Sequence, residues 1–209
     1  MSWTLENYDV LAVAIGEHVL MVGTALALSL LIALPLGILT ARRPAFYIAT
    51  MSVTGILYTI PALALFALLI PTMGLGLAPA ITALVLYSLL ILVRNVAIGI
   101  REVPADLIEA ADGMGYGGAR RLIDIELPLA LPVIVAGIRI TAVTQIAVAT
   151  VAAYINAGGL GDIIFQGITQ DFGEKIAAGA VLTSLLAIAA DESLKHVERR
   201  LRAATSERI

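Results

Sequence analysis

The chain has 209 residues, of which 60% are hydrophobic and 14% are charged, and its formal net charge is −3. Soluble domains average about 45–50% apolar and about 25% charged residues, so this composition excludes an ordinary soluble domain. The net negative charge gives no indication of nucleic acid as a partner, and the absence of cysteine excludes disulfides and thiolate chemistry.

The apolar residues form long uncharged blocks, which is the pattern of membrane-spanning helices. A span needs about 20 such residues to cross hydrocarbon about 30 Å thick. We therefore predict an all-α membrane protein that forms a single transmembrane domain over residues 1–209, with about five transmembrane helices. Their predicted limits are approximately 19–39, 47–70, 79–100, 129–153 and 174–193. The fifth span is the shortest uncharged run and needs extension beyond 176–190 to cross the membrane.

Proline lies well inside the second predicted span. Pro61 removes one backbone hydrogen bond, so we expect a kink in the helix at this point. A kink of this kind serves either packing alone or the lining of a transport pathway, where broken helices are common. The segment that begins at Tyr58 is therefore a candidate for the pathway.

Lysine and arginine are distributed unequally across the five spans. One side carries ten of the 13 residues, namely Arg42, Arg43, Arg101, Arg120, Arg121, Lys195, Arg199, Arg200, Arg202 and Arg208. Lys175 alone falls on the other side, and Arg94 and Arg139 lie within spans. The positive-inside rule then places the N-terminus outside, and the C-terminus and the loop 101–128 in the cytoplasm.

The two arginines within spans are close to the cytoplasmic ends of their helices. Side chains of this length commonly snorkel to the interface, and this structural interpretation is the favoured one for Arg94 and Arg139. Arg139 has an alternative, which is an ion pair with an acidic group of the loop 101–128.

No motif of an enzyme is present in the chain. There is no G-x-x-x-x-G-K-[ST] phosphate loop and no H-E-x-x-H metal motif, and His18 and His196 lie near opposite ends. Acidic residues are almost all in loops and tails, so the spans offer no obvious proton relay. We expect no catalytic activity, no cofactor and no metal site in this chain.

The polar loop 101–128 separates the third and fourth spans. Its pattern predicts two short helices, at 104–111 and 119–126, with glycines between them and a helix stop at Pro128. Two such helices make a compact knob that another protein's groove accepts. The alternative is an amphipathic loop that lies on the membrane surface, and the residues alone leave both open.

The same loop carries a spaced signature. Glu109-Ala110-Ala111, Gly115, Ile125 and Leu127-Pro128 fit EAA-x3-G-x9-I-x-LP. This segment resembles the signature of the membrane subunits of ABC importers that use a binding protein. Residues 129–139 and 153–168 look like the glycine betaine/choline/carnitine (osmoprotectant) subfamily. Members of that subfamily are similar in length to this chain, and the resemblance runs nearly from end to end. Tyr154 and Asn156 stand where that subfamily usually has phenylalanine and glycine.

The resemblance implies a MetI-like permease fold in which the loop forms coupling helices that dock on a cytoplasmic ATP-binding subunit. The implied ATPase-coupling residues are Glu109, Ala110, Ala111, Gly115, Leu127 and Pro128. Other implied partners are a second permease chain, identical or different, an extracytoplasmic solute-binding protein and membrane lipid. The implied location is the cytoplasmic (inner) membrane of a bacterium or archaeon. Alternatives are a methionine or other small-solute importer and, from another class, a stand-alone channel or carrier.

Candidate pathway or gate residues are polar, aromatic or conformationally special groups in and between the spans. They are Tyr58, Pro61, Tyr87, Gln145, Asn156, Gly158, Gly159 and Gly161. Tyrosine faces suit a quaternary ammonium solute because a cation is attracted to the ring. Core packing explains the tyrosines equally well, and a plain loop explains the glycines.

Overall fold

The computed structural model describes residues 2–206 and, in detail, the side chains of residues 3–203. Every regular element in this part of the chain is helical. The α-helices are α1 Ser2–Glu6, α2 Tyr8–Arg42, α3 Pro44–Thr59, α4 Ala62–Met73, α5 Leu77–Arg101, α6 Ala105–Gly113, α7 Gly118–Arg121, α8 Leu127–Ala149, α9 Leu160–Thr169 and α10 Gly173–Ser206. A π-helical turn, Leu122–Glu126, joins α7 to α8, and a 3-10 turn, Val151–Ile155, follows α8.

Four of these helices are long and apolar enough to cross a membrane. They are α2, α5, the continuous helix Gly118–Ala149 and α10. A fifth span results if α3 and α4, which meet at an angle of 97°, count as one broken span. The prediction of an all-α membrane protein with about five spans is confirmed. Several helices extend beyond the predicted spans, most of all α2, which begins at Tyr8, and α10, which runs to Ser206.

Helix α5 lies at the centre, between α2 and α8. Its backbone is close to both neighbours because glycines lie at the contacts, and a Cβ added at Gly37 of α2 would lie 3.3 Å from the carbonyl oxygen of Val93. A Cβ added at Gly99 would lie 3.1 Å from the carbonyl oxygen of Ala130, and one at Gly137 would lie 2.5 Å from the Cβ of Asn95. Small residues allow this close approach between membrane helices, where van der Waals packing drives association.

The second predicted span is interrupted completely, where the sequence predicted a kink. Ile60 has φ −66° and ψ 127°, which is an extended conformation, and Pro61 is also extended at ψ 137°. A proline disfavours the helical conformation of the residue before it and cannot donate to the preceding turn. The chain therefore turns sharply between Thr59 and Ala62.

The two ends of the bundle differ in composition. At the basic end, the guanidinium of Arg101 donates to the carbonyl oxygens of Thr40 at 2.7 Å and Ala41 at 3.1 Å, which lie in the last turn of α2. At the opposite end, the rings of Trp3 and Phe172 contact edge to face at 6.1 Å between centroids.

The segment between the fourth and fifth predicted spans contains a ten-residue helix, α9. The helix begins directly after Gly159, so Gly161 lies in its first turn and is not part of an extended glycine loop. The glycines of this segment lower its intrinsic helix propensity. The apolar residues Leu160 and Ile163 are nevertheless one helical turn apart, and they pack against Leu11 and Ala14 of α2.

Arg139 of α8 pairs with the last helix and not with the loop 101–128. Its guanidinium contacts Asp191 at 3.1 Å and Glu198 at 2.9 Å, both on α10. The acids are seven residues apart, so they share one face of α10. The proposed pairing of Arg139 with the loop is wrong, because α8 packs along α10 at this level. Arg94 is exposed on α5, and its snorkelling stays a prediction.

Replacement of Arg139 by methionine is expected to destabilise the protein by about 1–3 kcal/mol, because Glu198, only 7% exposed, keeps Arg202 but loses its other charged donor. Thermal unfolding of the purified protein in lipid nanodiscs measures the change. Lys195→Gln is the control, since the pair of Lys195 with Glu192 lies on the surface of a single helix and such pairs contribute little. Equal unfolding temperatures for the two variants would contradict the structural importance of the α8–α10 pair.

Candidate coupling segment and solute pathway

The first short helix of the loop, α6, carries the Glu-Ala-Ala sequence. It begins after Pro104, and the Asp106 carboxylate accepts from the amide of Leu107 at 3.0 Å, in the first turn where a negative charge is favourable. Glu109 and Ala110 are exposed, whereas Ala111 is fully buried. Two of the three motif residues are therefore available to a partner, and the third holds the helix to the rest of the chain.

The motif glycine ends α6. Gly115 has φ +81°, its amide donates to Asp112 O at 3.0 Å, and the amide of Tyr116 donates to Ala111 O at 3.0 Å. These two bonds define a Schellman motif, in which the residue after the cap is left-handed and is usually glycine. Nothing lies within 4 Å of a Cβ added at Gly115. The position therefore selects glycine through its backbone conformation and not through lack of space.

The second predicted loop helix does not stop at Pro128. Residues Gly118–Ala149 form one continuous helix, and Pro128 lies in the first turn of α8. The π turn before it explains the difference, because the amide of Leu127 donates to Leu122 O and the ladder shifts by one residue ahead of the proline. Leu127 packs against the cluster that contains Val96 and Ile100. The last motif residues therefore anchor the loop to α5.

Charged side chains connect this loop to the membrane helices. The Glu126 carboxylate, 3% exposed, accepts from Arg121 at 2.9 Å and from Arg42 at 3.2 Å. Arg121 also donates to both oxygens of Asp112 at 2.6 Å. Sequence reasoning missed this cluster because its members are up to 84 residues apart.

The structure brings together three of the predicted pathway residues at the broken second span. The rings of Tyr58 and Tyr87 meet edge to face, with centroids 5.7 Å apart. The hydroxyl of Tyr87 donates to the carbonyl oxygen of Ile60, directly before Pro61. Tyr58 is 39% exposed and Tyr87 is 8% exposed. Tyr87 thus satisfies the backbone at the break, and Tyr58 faces outward beside it.

Gln145 lies close to this pair but is enclosed by the chain. Its amide nitrogen donates to Ser88 Oγ at 2.6 Å and approaches Ser29 Oγ at 3.5 Å, so one side chain connects α2, α5 and α8. Its oxygen is buried and has no hydrogen-bond partner among the described residues. A cavity of about 10 Å³ lined by Tyr87, Ser88 and Gln145 has room for one water molecule.

The remaining predicted residues lie at the opposite end and do not meet the tyrosines. Asn156 is exposed and left-handed at φ 60°, and the amide of Gly159 donates to Glu17 of α2 at 2.9 Å. Gly159 has φ +82°, and a Cβ there would lie 3.0 Å from Nδ1 of His18. Gly158 lies against Glu17, and Gly161 lies against Thr150. Close packing against α2 and the 3-10 turn explains these glycines.

An acidic recess at this end was not predicted. It has a volume of about 310 Å³, lies between α2 and α9, and is lined by Asp9, Glu17 and Asp162 among others. Burial raises the pKa of the Asp162 carboxyl, and the negative charge of Glu17 raises it further. Among the described residues, no group of three or more His, Asp or Glu is arranged to hold a metal ion.

The arrangement of spans and loop matches a known family. The profile of the family described as "Binding-protein-dependent transport system inner membrane component" matches residues 33–203. The chain belongs to this family. The match includes the whole of α6 and its Schellman motif.

Relatives within the family cover nearly the whole chain. The carnitine transport permease protein OpuCB of Listeria monocytogenes is 41% identical over 196 residues, which cover 94% of this chain and 90% of the relative. The glycine betaine/carnitine/choline transport system permease protein OpuCB of Bacillus subtilis is 38% identical over 201 residues, which cover 96% and 93%. The inward-facing MetNI methionine ABC transporter matches with a TM-score of 0.85 at 25% identity, over 93% of this chain and 97% of that one. The predicted MetI-like permease fold is confirmed.

Replacement of Tyr87 by phenylalanine is expected to lower the free energy of unfolding by about 1–3 kcal/mol, because the carbonyl of Ile60 loses its hydrogen-bond donor at the break between α3 and α4. Tyr58→Phe is the matched control, since it keeps the ring pair and removes no hydrogen bond seen among the described residues. Thermal unfolding in nanodiscs compares the two. The assignment fails if both variants unfold at the same temperature as the parent.

Proposed function

We propose that the chain is the membrane permease subunit of an ATP-driven importer of quaternary-ammonium osmoprotectants. The observation that carries the proposal is α6, which presents Glu109 and Ala110 on an exposed turn at the basic end of a bundle of family-typical fold. The names of the 38–41% identical relatives, for carnitine and for glycine betaine, carnitine and choline, support the solute class.

ATP-driven movement requires a partner, because the chain has no phosphate loop. The partner is a cytoplasmic ATPase subunit that contacts the exposed face of α6. Alanine at position 110 permits close approach, and the Glu109 carboxylate offers a negative charge to a basic group. Gly115 contributes indirectly, by ending α6 in the required geometry.

The solute pathway is formed with a second permease chain. The interior cavity beside Gln145 holds about 10 Å³, whereas pockets for small ligands usually have about 300–1,000 Å³. A solute therefore passes along an outer face of the bundle and not through its middle. Tyr58, exposed at the broken span, is placed to meet a cation on such a face, and a ring face attracts quaternary ammonium groups.

The basic end faces the cytoplasm in this proposal. Arg42, Arg101 and Arg121 gather there, as the positive-inside rule requires for the cytoplasmic side. The opposite end, with Asn156 and the acidic recess, then faces outward, where an extracytoplasmic binding protein delivers solute. The membrane is the cytoplasmic membrane of a bacterium or archaeon.

A methionine importer is the second candidate, because the MetNI transporter has the same fold. Sequence favours the first candidate, since the identity to that transporter is 25% and the identity to the carnitine permease is 41%. A fold shared by many importers does not determine the cargo.

Gly115→Val is expected to weaken the association between permease and ATPase about tenfold. The left-handed conformation costs an ordinary residue about 1–2 kcal/mol, which corresponds to about one factor of ten. Gly115→Asn is the matched control, because asparagine tolerates this conformation at a helix end. Co-purification of the ATPase with each variant in nanodiscs measures the effect, with membrane insertion monitored separately.

Retention of the ATPase by the valine variant at the parental level would count against the coupling role. Solute flux by the purified chain without any ATPase would favour a stand-alone channel and overturn the proposal.

The solute class is tested on the partner binding protein. Titration calorimetry is expected to show tight binding of glycine betaine, choline or carnitine, because the relatives are named for these solutes. Methionine serves as the comparison ligand under the same conditions. Binding of methionine alone would replace the osmoprotectant proposal by the second candidate.

A further inference from the structure

We infer that Glu126 is the positioning residue that ties the coupling helix α6 to the membrane helix α2. The inference rests on the proposed coupling function and adds the route by which movement of α6 reaches the spans. It is carried by a continuous series of ion pairs, Asp112–Arg121–Glu126–Arg42, at the basic end.

The weak attachment of α6 makes such a tie necessary. Ala111 is the only buried residue of α6, so little apolar contact holds the helix to the bundle. The connection to α7 runs through Gly115, which is left-handed, and through Gly117 and Gly118, around which a Cβ would meet nothing within 4 Å. A glycine-bearing connection transmits little force by itself, because its backbone dihedrals turn easily.

The ion pairs bridge that connection. Arg121 of α7 donates to both carboxylate oxygens of Asp112 at 2.6 Å, which is a short contact between charged groups on opposite sides of the glycines. Its side chain is 22% exposed, so the pair is partly shielded from water. Movement of α6 therefore displaces Arg121 together with Asp112.

Glu126 carries the connection from Arg121 on to α2. Its side chain is 4% exposed and receives Arg121 of the loop and Arg42 of the last turn of α2 on one carboxylate. It is also the last residue of the π turn that leads directly into α8. A buried carboxylate that holds two guanidinium groups resists displacement, because separation from either breaks a charge-assisted hydrogen bond. The position therefore links α6, by way of Arg121, to Arg42 of α2, whereas Arg121 itself lies on the continuous helix that includes α8.

A series of links makes a distinctive prediction. Asp112→Asn breaks the first link and Arg42→Gln breaks the last, and both residues have partly exposed side chains, at 52% and 42%, so these variants avoid emptying the buried centre. In a series, breaking both links has no greater effect than breaking one. Two independent stabilising contacts would instead have additive effects.

The first measurement uses the permease alone. Spin labels on Met114→Cys in the loop and Leu31→Cys on α2 report the distance between them; both positions are exposed, and the chain has no native cysteine. We expect a broader distance distribution in Asp112→Asn, in Arg42→Gln and, to the same extent, in the double variant. Asp124→Asn is the matched control, since its exposed pair with Arg120 stays within one helical segment.

The second measurement uses the permease with its ATPase and binding protein in proteoliposomes. The number of solutes transported per ATP hydrolysed is expected to fall at least about fivefold in both single variants and no further in the double variant. The ATPase is expected to co-purify normally with all of them, because they keep Glu109 and Ala110, the exposed motif residues of α6.

The outcomes separate this inference from the proposed function. Unchanged label distances, or equal changes in the Asp124→Asn control, overturn the tie. Additive effects of the two single variants overturn the series. An ATPase that does not associate even with the parent chain overturns the proposed function, and the label distances then still decide whether Glu126 positions α6.

Discussion

The close packing of α5 against α2 and α8 is the constraint on which the rest of the structure depends. Gly37 brings the backbone of α2 close to α5, and Gly99 and Gly137 bring α5 close to α8, so that van der Waals packing can hold the helices together in lipid. With these helices in contact, Gln145 reaches Ser29 and Ser88, which join the same three helices through hydrogen bonds. A polar network of this kind is strong in lipid because the alternative is an unsatisfied group without water.

Outside these three helices, the chain has two irregular segments whose backbone polar groups form hydrogen bonds with side chains. The break before Pro61 is held by the hydroxyl of Tyr87, and the Gly159 turn is held by the carboxylate of Glu17. Both are positions where a helix alone would leave polar groups exposed to hydrocarbon. A charged contact has a similar role at the basic end, where the Glu126 carboxylate pairs with Arg42 and Arg121. Polar contacts therefore join the coupling segment to the membrane helices, and apolar packing holds those helices together.

Particular residues show how far the sequence could predict the site. The spacing from Glu109 to Pro128 identified the loop, and its length located α6 nearly correctly, because caps and glycines act locally. The role of Gly115 as a Schellman residue follows from the same local rules. Pro128 was misjudged as a helix stop, since a π turn that absorbs a proline leaves no pattern in the sequence. The alternative partner for Arg139, an acidic group of the loop 101–128, is wrong. The acids that it does contact lie 52 and 59 positions further along the chain, on α10, where sequence spacing gives no signal.

The sequence by itself determined that the chain spans a membrane, about how many times it does so, and which loop carries the family signature. Length and apolarity are local properties, and a span must be apolar on nearly every face, so they can be read directly. Tertiary structure decided which polar groups meet, as with Gln145 and Ser29 or Glu126 and Arg42, which are 116 and 84 residues apart. The physical reason is that an apolar helix has no amphipathic stripe to show which side faces its neighbours. Only the packed bundle determines that rotation, and with it the path from α6 to the spans.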